Sequence, residues 1–284
     1  MLGAMIGDIV GSRFEFDNHR SKDFGLFGGD GFSRRSCNFT DDTVLTAAVA
    51  DALMTVGKPF DEKLLTGTLI YKFHEYGRLY PNAGFGGKFF DWLYEGCVEP
   101  YYSFGNGSAM RVSPCAWCAD TLDECLKLAE ISAAVTHNHP EGIKGAKATA
   151  AAIFLAREGK SKENIRRHIE ENYYPDAFEK TLDEIRPTYK FNETCQETVP
   201  QALEAFYEST SFEDAIRCAV SVGGDTDTLA CITGGISEAF YGIPKEIEAK
   251  ARTFLDDKII KVVDGFKEFY NTRILQTSKE SKCN

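Results

Sequence analysis

Phe39-Thr40-Asp41-Asp42-Thr43 runs without a break into Val44-Leu45-Thr46-Ala47-Ala48-Val49-Ala50-Asp51-Ala52-Leu53-Met54. The second part is rich in Ala and Leu and apolar on most faces of a 3.6-residue repeat, which predicts a buried helix over 44–54. The first part reads as its entrance, because Asp and Thr ahead of an apolar run satisfy the free N–H groups of a first turn. A cap needs one side-chain acceptor, however, and neighbouring anions repel. Asp41 and Asp42 together hold one carboxylate more than capping explains.

The same pattern recurs near the other end of the chain. Gly223-Gly224-Asp225-Thr226-Asp227-Thr228 leads into an apolar segment over 229–240. Each cluster offers two carboxylates and at least two hydroxyls, the oxygen set that hard divalent cations such as Mg²⁺ prefer. Either cluster alone is compatible with capping. Two surpluses in one chain favour a shared metal site, with helix entrances that bring both clusters to one buried place.

Helical periodicity continues outward from these stretches. Helices are predicted over 61–76, 122–135, 142–157, 161–171, 198–207, 212–222, 229–240, 247–254 and 258–275. Thr121-x-x-Glu124 has the form of a capping box, and Ser161 is a cap. No segment shows sustained period-two alternation. The fold class expected is all-α, a compact bundle of roughly ten or more helices. The Gly- and aromatic-rich stretches over 11–38 and 79–114 are the irregular regions, and loops of that length in a compact domain are usually functional.

The chain has 284 residues, 43% of them hydrophobic, enough for a sizeable core. No Pro/Ser-rich linker or repeat divides it, and the acidic clusters lie near opposite ends, so one domain over 1–284 is expected. The net charge of −11 disfavours broad nonspecific binding to nucleic acid, whose affinity comes from neutralising phosphates. No apolar run approaches the ~20 residues that span a bilayer. The start of the chain lacks the basic and long apolar regions of a signal peptide. Nine cysteines, an odd number, suit reduced thiols, and a cytoplasmic protein is expected. Cys115-Ala116-Trp117-Cys118 has redox or zinc spacing but no second pair; the thiols read as small buried hydrophobes.

Three further constellations carry chemistry. Glu15 lies between Phe14 and Phe16, either as an exposed loop charge or as a carboxylate in an apolar pocket suited to general acid–base work. Tyr102-Ser103-Phe104-Gly105-Asn106-Gly107-Ser108-Ala109-Met110-Arg111 is a small-residue loop whose backbone N–H groups could cradle a phosphate. Within it Phe104 could stack on a base, and Arg111 could pair with a phosphate or hold the loop from inside. In Thr136-His137-Asn138-His139, the two histidines lack a cysteine partner for zinc. His137 reads as a hydrogen-bond donor to a ligand or as the close of the preceding helix.

Together these residues resemble the ADP-ribosylglycohydrolase family. The resemblance runs in order from Gly3-Ala4-Met5-Ile6-Gly7-Asp8 with Gly11, through 39–43, 105–111 and Thr136-His137, to 223–228. It implies an all-helical fold with a binuclear Mg²⁺ cleft, Mn²⁺ being an alternative ion. Thr40, Asp41, Asp42, Asp225, Asp227 and Thr228 look like the metal ligands, and Asp8 like their support. Ser103, Phe104, Gly105, Asn106, Gly107, Ser108 and Met110, with His137, look like the substrate-binding residues. The loop holds the diphosphate and adenosine end of ADP-ribose, with Phe104 as a stacking aromatic. Glu15 matches a glutamate near the scissile bond. The implied reaction is hydrolysis of the bond between C1″ of ADP-ribose and an acceptor on a protein, small molecule or nucleic acid. Glu15, Asp41 or Asp42 would move the protons. The segment 18–38 departs from the family pattern and leaves the acceptor open. An inactive ADP-ribose-binding module and a Mg²⁺-dependent nucleotide phosphohydrolase are the alternatives.

Overall fold

The structure, a computed structural model, describes residues 1–28 and 36–280, with side chains through residue 271. The described chain forms fifteen helices. They are α1 (Leu2–Gly11), α2 (Asp41–Val56), α3 (Glu62–Leu79), α4 (Gly87–Tyr94) and α5 (Gly107–Met110). Then come α6 (Ser113–Cys118), α7 (Leu122–Ala134), α8 (Pro140–Arg157), α9 (Lys162–Asn172) and α10 (Leu182–Ile185). The last are α11 (Cys195–Glu208), α12 (Phe212–Val220), α13 (Thr226–Tyr241), α14 (Lys245–Arg252) and α15 (Asp257–Glu280). No strand occurs among the described residues; the single bridge joins Gly105 to Thr194. The all-α expectation holds.

The expected helices are all present, with ends moved by local chemistry. Asp61, Thr121, Ser161 and Ser211 each accept a first-turn N–H and fix where α3, α7, α9 and α12 begin. The box expected at Thr121 is only half formed. Its Oγ1 accepts from Glu124 N, but the Glu124 carboxylate takes Asp120 N and Lys58 instead of reaching back to Thr121. The complete box is at Thr181 and Glu184, ahead of α10.

Helix α1 was not expected, and the stretch 79–114 holds α4, α5 and the start of α6 where irregular chain was expected. Every residue of α1 is buried, so it has no polar face to produce an amphipathic pattern. It packs antiparallel on α13 through glycines. A Cβ on Gly3 would lie 2.4 Å from Gly234 O, one on Gly7 1.9 Å from Ala230 O, and one on Gly11 2.4 Å from Thr226 O. The two backbones therefore touch along the whole of α1. This contact brings the end of α1 to the start of α13, where Thr226 Oγ1 donates to Gly11 O at 2.9 Å. Helices α8, α11 and α12 pack around α13, whose residues from Thr226 to Ser237 are all buried.

Candidate active site

The close approach of α1 and α13 places Asp8 beneath the entrance of α2. Asp8 Oδ2 accepts from Thr40 N at 2.9 Å and Thr43 N at 3.1 Å, and Oδ1 accepts from Thr40 Oγ1 at 2.7 Å. Asp41 N donates to Ala83 O at 2.8 Å. Helix α2 is thus capped by a carboxylate from α1 and by a loop carbonyl. Thr40, its own N-cap residue, makes no side-chain capping bond. The capping explanation of Asp41 and Asp42 is removed, and both side chains turn into a cleft.

At the other cluster, Asp225 is the N-cap residue of α13 and likewise makes no side-chain capping bond. Its Oδ2 accepts from Asn106 Nδ2 at 2.7 Å. Asp227 accepts from its neighbour Thr228 N, at 3.0 Å. Thr228 Oγ1 reaches Asp42 Oδ2 at 3.4 Å and joins the clusters directly. Two helix N-termini meet here, and their partial positive charge offsets part of the cost of burying so many anions.

Burial, then the charge of neighbouring carboxylates, sets the proton affinity of the group. Burial pushes Asp8 up from 3.8 to about 6. Asp41 is pushed well above the ordinary carboxylate range by burial and by Asp8, Asp225 and Glu15. Asp42 is raised by burial and by Asp8, Asp41 and Asp225; Asp227 by burial, Asp225 and Asp42. Asp42 Oδ1 is buried and accepts no hydrogen bond from the described residues. Mutually repelling oxygen donors with an orphaned acceptor are the donor set a hard cation relieves. Among the described residues, no three His, Cys, Asp or Glu side chains already stand as a metal-binding group. The donors share one cleft without converging on one point.

That cleft has a volume of about 350 Å³. Glu15, Asp41, Asp42, Asp225, Asp227 and Thr228 line it together with Ser103, Gly105, Asn106, Gly107, Met110 and His137. Residues 103–107 are clipped to the chain before α11, with Asn106 N on Glu193 O at 2.7 Å and Cys195 N on Phe104 O at 3.0 Å. Gly105 N donates to Ser103 Oγ. The amides of Gly105 and Asn106 are therefore spent inside the protein, and fewer donors remain for an anion than the glycine spacing suggests.

Thr40, Phe104 and Ser108 do not line the cleft. Thr40 is tied to Asp8, and Ser108 is fully buried and donates to Gly142 O at 2.7 Å. Phe104 is 43% exposed beside the cleft, its ring 5.2 Å from His139. Arg111 is buried, lies over Phe73, and donates to Ser132 O and Thr136 Oγ1, so it holds the loop from within. Thr136 Oγ1 accepts from Arg111 and lies 2.7 Å from His137 Nδ1, which orients the ring. The imidazole is kept neutral by burial and by the Arg111 charge, with Nε2 next to Gly107. His139 is occupied elsewhere, capping α8 by accepting from Glu141 N. Lys88, Tyr101 and Glu193 also line the cleft and were not foreseen. Gly84, Gly86 and Gly87 beside them were visible only as glycine-rich chain.

The sequence profile described as ADP-ribosylglycohydrolase matches residues 1–276. The chain is 28% identical to the ADP-ribosylarginine hydrolase Tri1 of Pseudomonas putida, a match covering 86% of this chain and 70% of that one. It is 25% identical to human ADP-ribosylhydrolase ARH3, over 88% of this chain and 86% of that one. A solved structure titled ADP-ribosylglycohydrolase-related protein complex superposes with a TM-score of 0.64 at 23% identity. It covers 89% of this chain and 96% of the other, a likeness of fold.

Proposed function

The chain belongs to the ADP-ribosylglycohydrolase family, and on that premise we propose that its cleft hydrolyses the bond between C1″ of ADP-ribose and an acceptor, releasing ADP-ribose. The observation that carries this reading is that Ser103, Gly105, Asn106 and Gly107, the carboxylates of both acidic clusters and Glu15 line the same cleft. A phosphate-bearing nucleotide end and a reacting ribose then have adjacent places. None of the eight described cysteines is in a disulfide with another described residue, which suits a reducing, cytoplasmic setting, and no described helix is long and apolar enough to cross a membrane.

Asp41, Asp42, Asp225, Asp227 and Thr228, which line the cleft, would hold Mg²⁺, which when bound supplies positive charge that orients ribose hydroxyls and acidifies water. The rest of the chemistry falls to the protein. His137 Nε2 hydrogen-bonds to the substrate, and Phe104 offers a face to the adenine. The carboxylate cluster provides a negative field that stabilises the oxocarbenium character growing at C1″. Glu15, on the loop after α1, takes a proton from the attacking water or gives one to the leaving acceptor.

The test is incubation with ADP-ribose linked to arginine, serine, a nucleobase or a phosphate, with and without Mg²⁺. Release of intact ADP-ribose that depends on Mg²⁺ is expected. Free phosphate or AMP would instead make the protein a phosphohydrolase, and binding without turnover a binding module. Glu15→Gln keeps the shape of the side chain and is expected to preserve ADP-ribose affinity while turnover falls by about 10²–10⁴-fold. A rate near that of the wild type would move proton transfer to Asp41 or Asp42.

A further inference from the structure

We propose that Arg20 is the positioning residue that holds the three acidic walls of the cleft in register. Resting on the reading of the cleft above, the inference gives a role to a side chain in the segment where the chain departs from its family. The guanidinium donates to three carbonyls: Arg186 O at 2.6 Å, Tyr189 O at 2.5 Å, and Val222 O. Arg186 and Tyr189 share one stretch and Val222 lies on another, so together with the loop of Arg20 itself three stretches are joined, and each leads to the cleft. Arg20 shares its own loop with Glu15; Tyr189 precedes Glu193; Val222 precedes Asp225. Glu15, Glu193 and Asp225 all line the cleft.

The grip at Val222 matters most. Helix α12 ends just before it, so this carbonyl lies where backbone acceptors lack intrahelical donors and a cation is favoured. Only Gly223 and Gly224 separate Val222 from Asp225, with φ of +74° and +75°. Such a turn has little stiffness of its own. It is confined from outside instead: a Cβ on Gly223 would stand 3.0 Å from Arg20 Cζ, and one on Gly224 2.8 Å from Tyr189 Cε1. Arg20 thus lies against the turn and pins its first carbonyl, while its second nitrogen holds the chain whose tyrosine ring covers the other glycine. A planar fork can serve several carbonyls at once; a lysine ammonium on a flexible stem cannot hold that geometry.

Arg20→Ala and Arg20→Lys are to be compared with the wild-type chain. In protein without added metal, amide hydrogen exchange over 223–228 is expected to rise at least tenfold in both, with α3 unchanged. Mg²⁺ affinity by calorimetry is expected to fall at least tenfold, with KM for the ADP-ribosylated substrate changing less than kcat. Because Arg20 is exposed, 10 mM guanidinium should restore part of the loss in Arg20→Ala, and 10 mM urea should not. Exchange at 223–228 within twofold of wild type would overturn the proposal, as would exchange rising equally in every helix. If wild-type protein neither binds Mg²⁺ nor releases ADP-ribose, the reading of the cleft fails, and the exchange measurement still decides the role of Arg20.

Discussion

Gly7→Ala is expected to destabilise the protein by about 3 kcal/mol or more in urea denaturation, or to leave it insoluble. Alanine at a helix interior normally gains stability over glycine, by roughly 0.5–1 kcal/mol. Here the added methyl would stand 1.9 Å from Ala230 O and 2.3 Å from Ala230 C. The obstacle is backbone, which no rotamer change can move aside, so α1 and α13 must separate along their whole contact. The matched control is Gly67→Ala in α3, where a Cβ meets nothing within 4 Å. It is expected to stabilise by roughly 0.5–1 kcal/mol. Equal behaviour of the two variants would refute the close contact of α1 with α13.

Asp42→Asn is expected to stabilise the metal-free protein and to abolish turnover by at least about 10²-fold. The carboxylate is buried among Asp8, Asp41 and Asp225, so an amide of the same size removes repulsion that the folded state bears. Wild-type protein at a Mg²⁺ concentration 100 times its dissociation constant should gain about 2.7 kcal/mol by linkage, and Asp42→Asn almost none. The pH dependence follows from the same charges. Between 3.8 and about 6, folded protein keeps on Asp8 a proton that the unfolded chain has lost. Stability without metal is therefore greatest below that window and falls as pH rises through it. The loss is on the order of 3 kcal/mol for Asp8 alone, and the raised Asp41, Asp42 and Asp227 extend it upward. Thermal unfolding in chelator across pH 4–8 measures it; a metal-free protein that grows more stable with pH would count against a buried, repelling cluster.

The long helices were legible because their determinants are local. Ala- and Leu-rich runs such as 44–54 and 142–157 and caps such as Asp61 and Ser161 announce themselves in a few adjacent residues. Helix α1 was illegible for the opposite reason. It is buried all round, Asp8 included, and carries three glycines, so neither periodicity nor propensity marks it; its stability comes from a partner more than 200 residues away. The same holds within the site. Surplus carboxylates at 41–42 and 225–227 could be counted in the sequence, but that Asp8 caps α2 and frees them is a tertiary fact. Ser108 and the amides of Gly105 and Asn106 suggested ligand contacts by composition, whereas folding turns Ser108 inward and spends those two amides on the protein's own oxygens. Arg20, in a loop with no pattern, gave no signal because its distant partners are backbone carbonyls, which any residue can supply.

The pairing of α1 with α13 also sets a schedule for synthesis. Gly11 and the threonine that bonds it are 215 residues apart. At the usual 5–20 residues per second, a ribosome separates their appearance by roughly 10–45 s. Throughout that interval the first helix, apolar apart from Asp8, has emerged with its matching groove not yet made. The acidic cleft, which needs Asp8 from the first helix and Asp225 from the entrance of the thirteenth, cannot exist on a nascent chain until nearly four-fifths of the described length has left the ribosome. The site cannot assemble before that entrance is made, and until then the apolar residues of the first helix lack the partner that buries them.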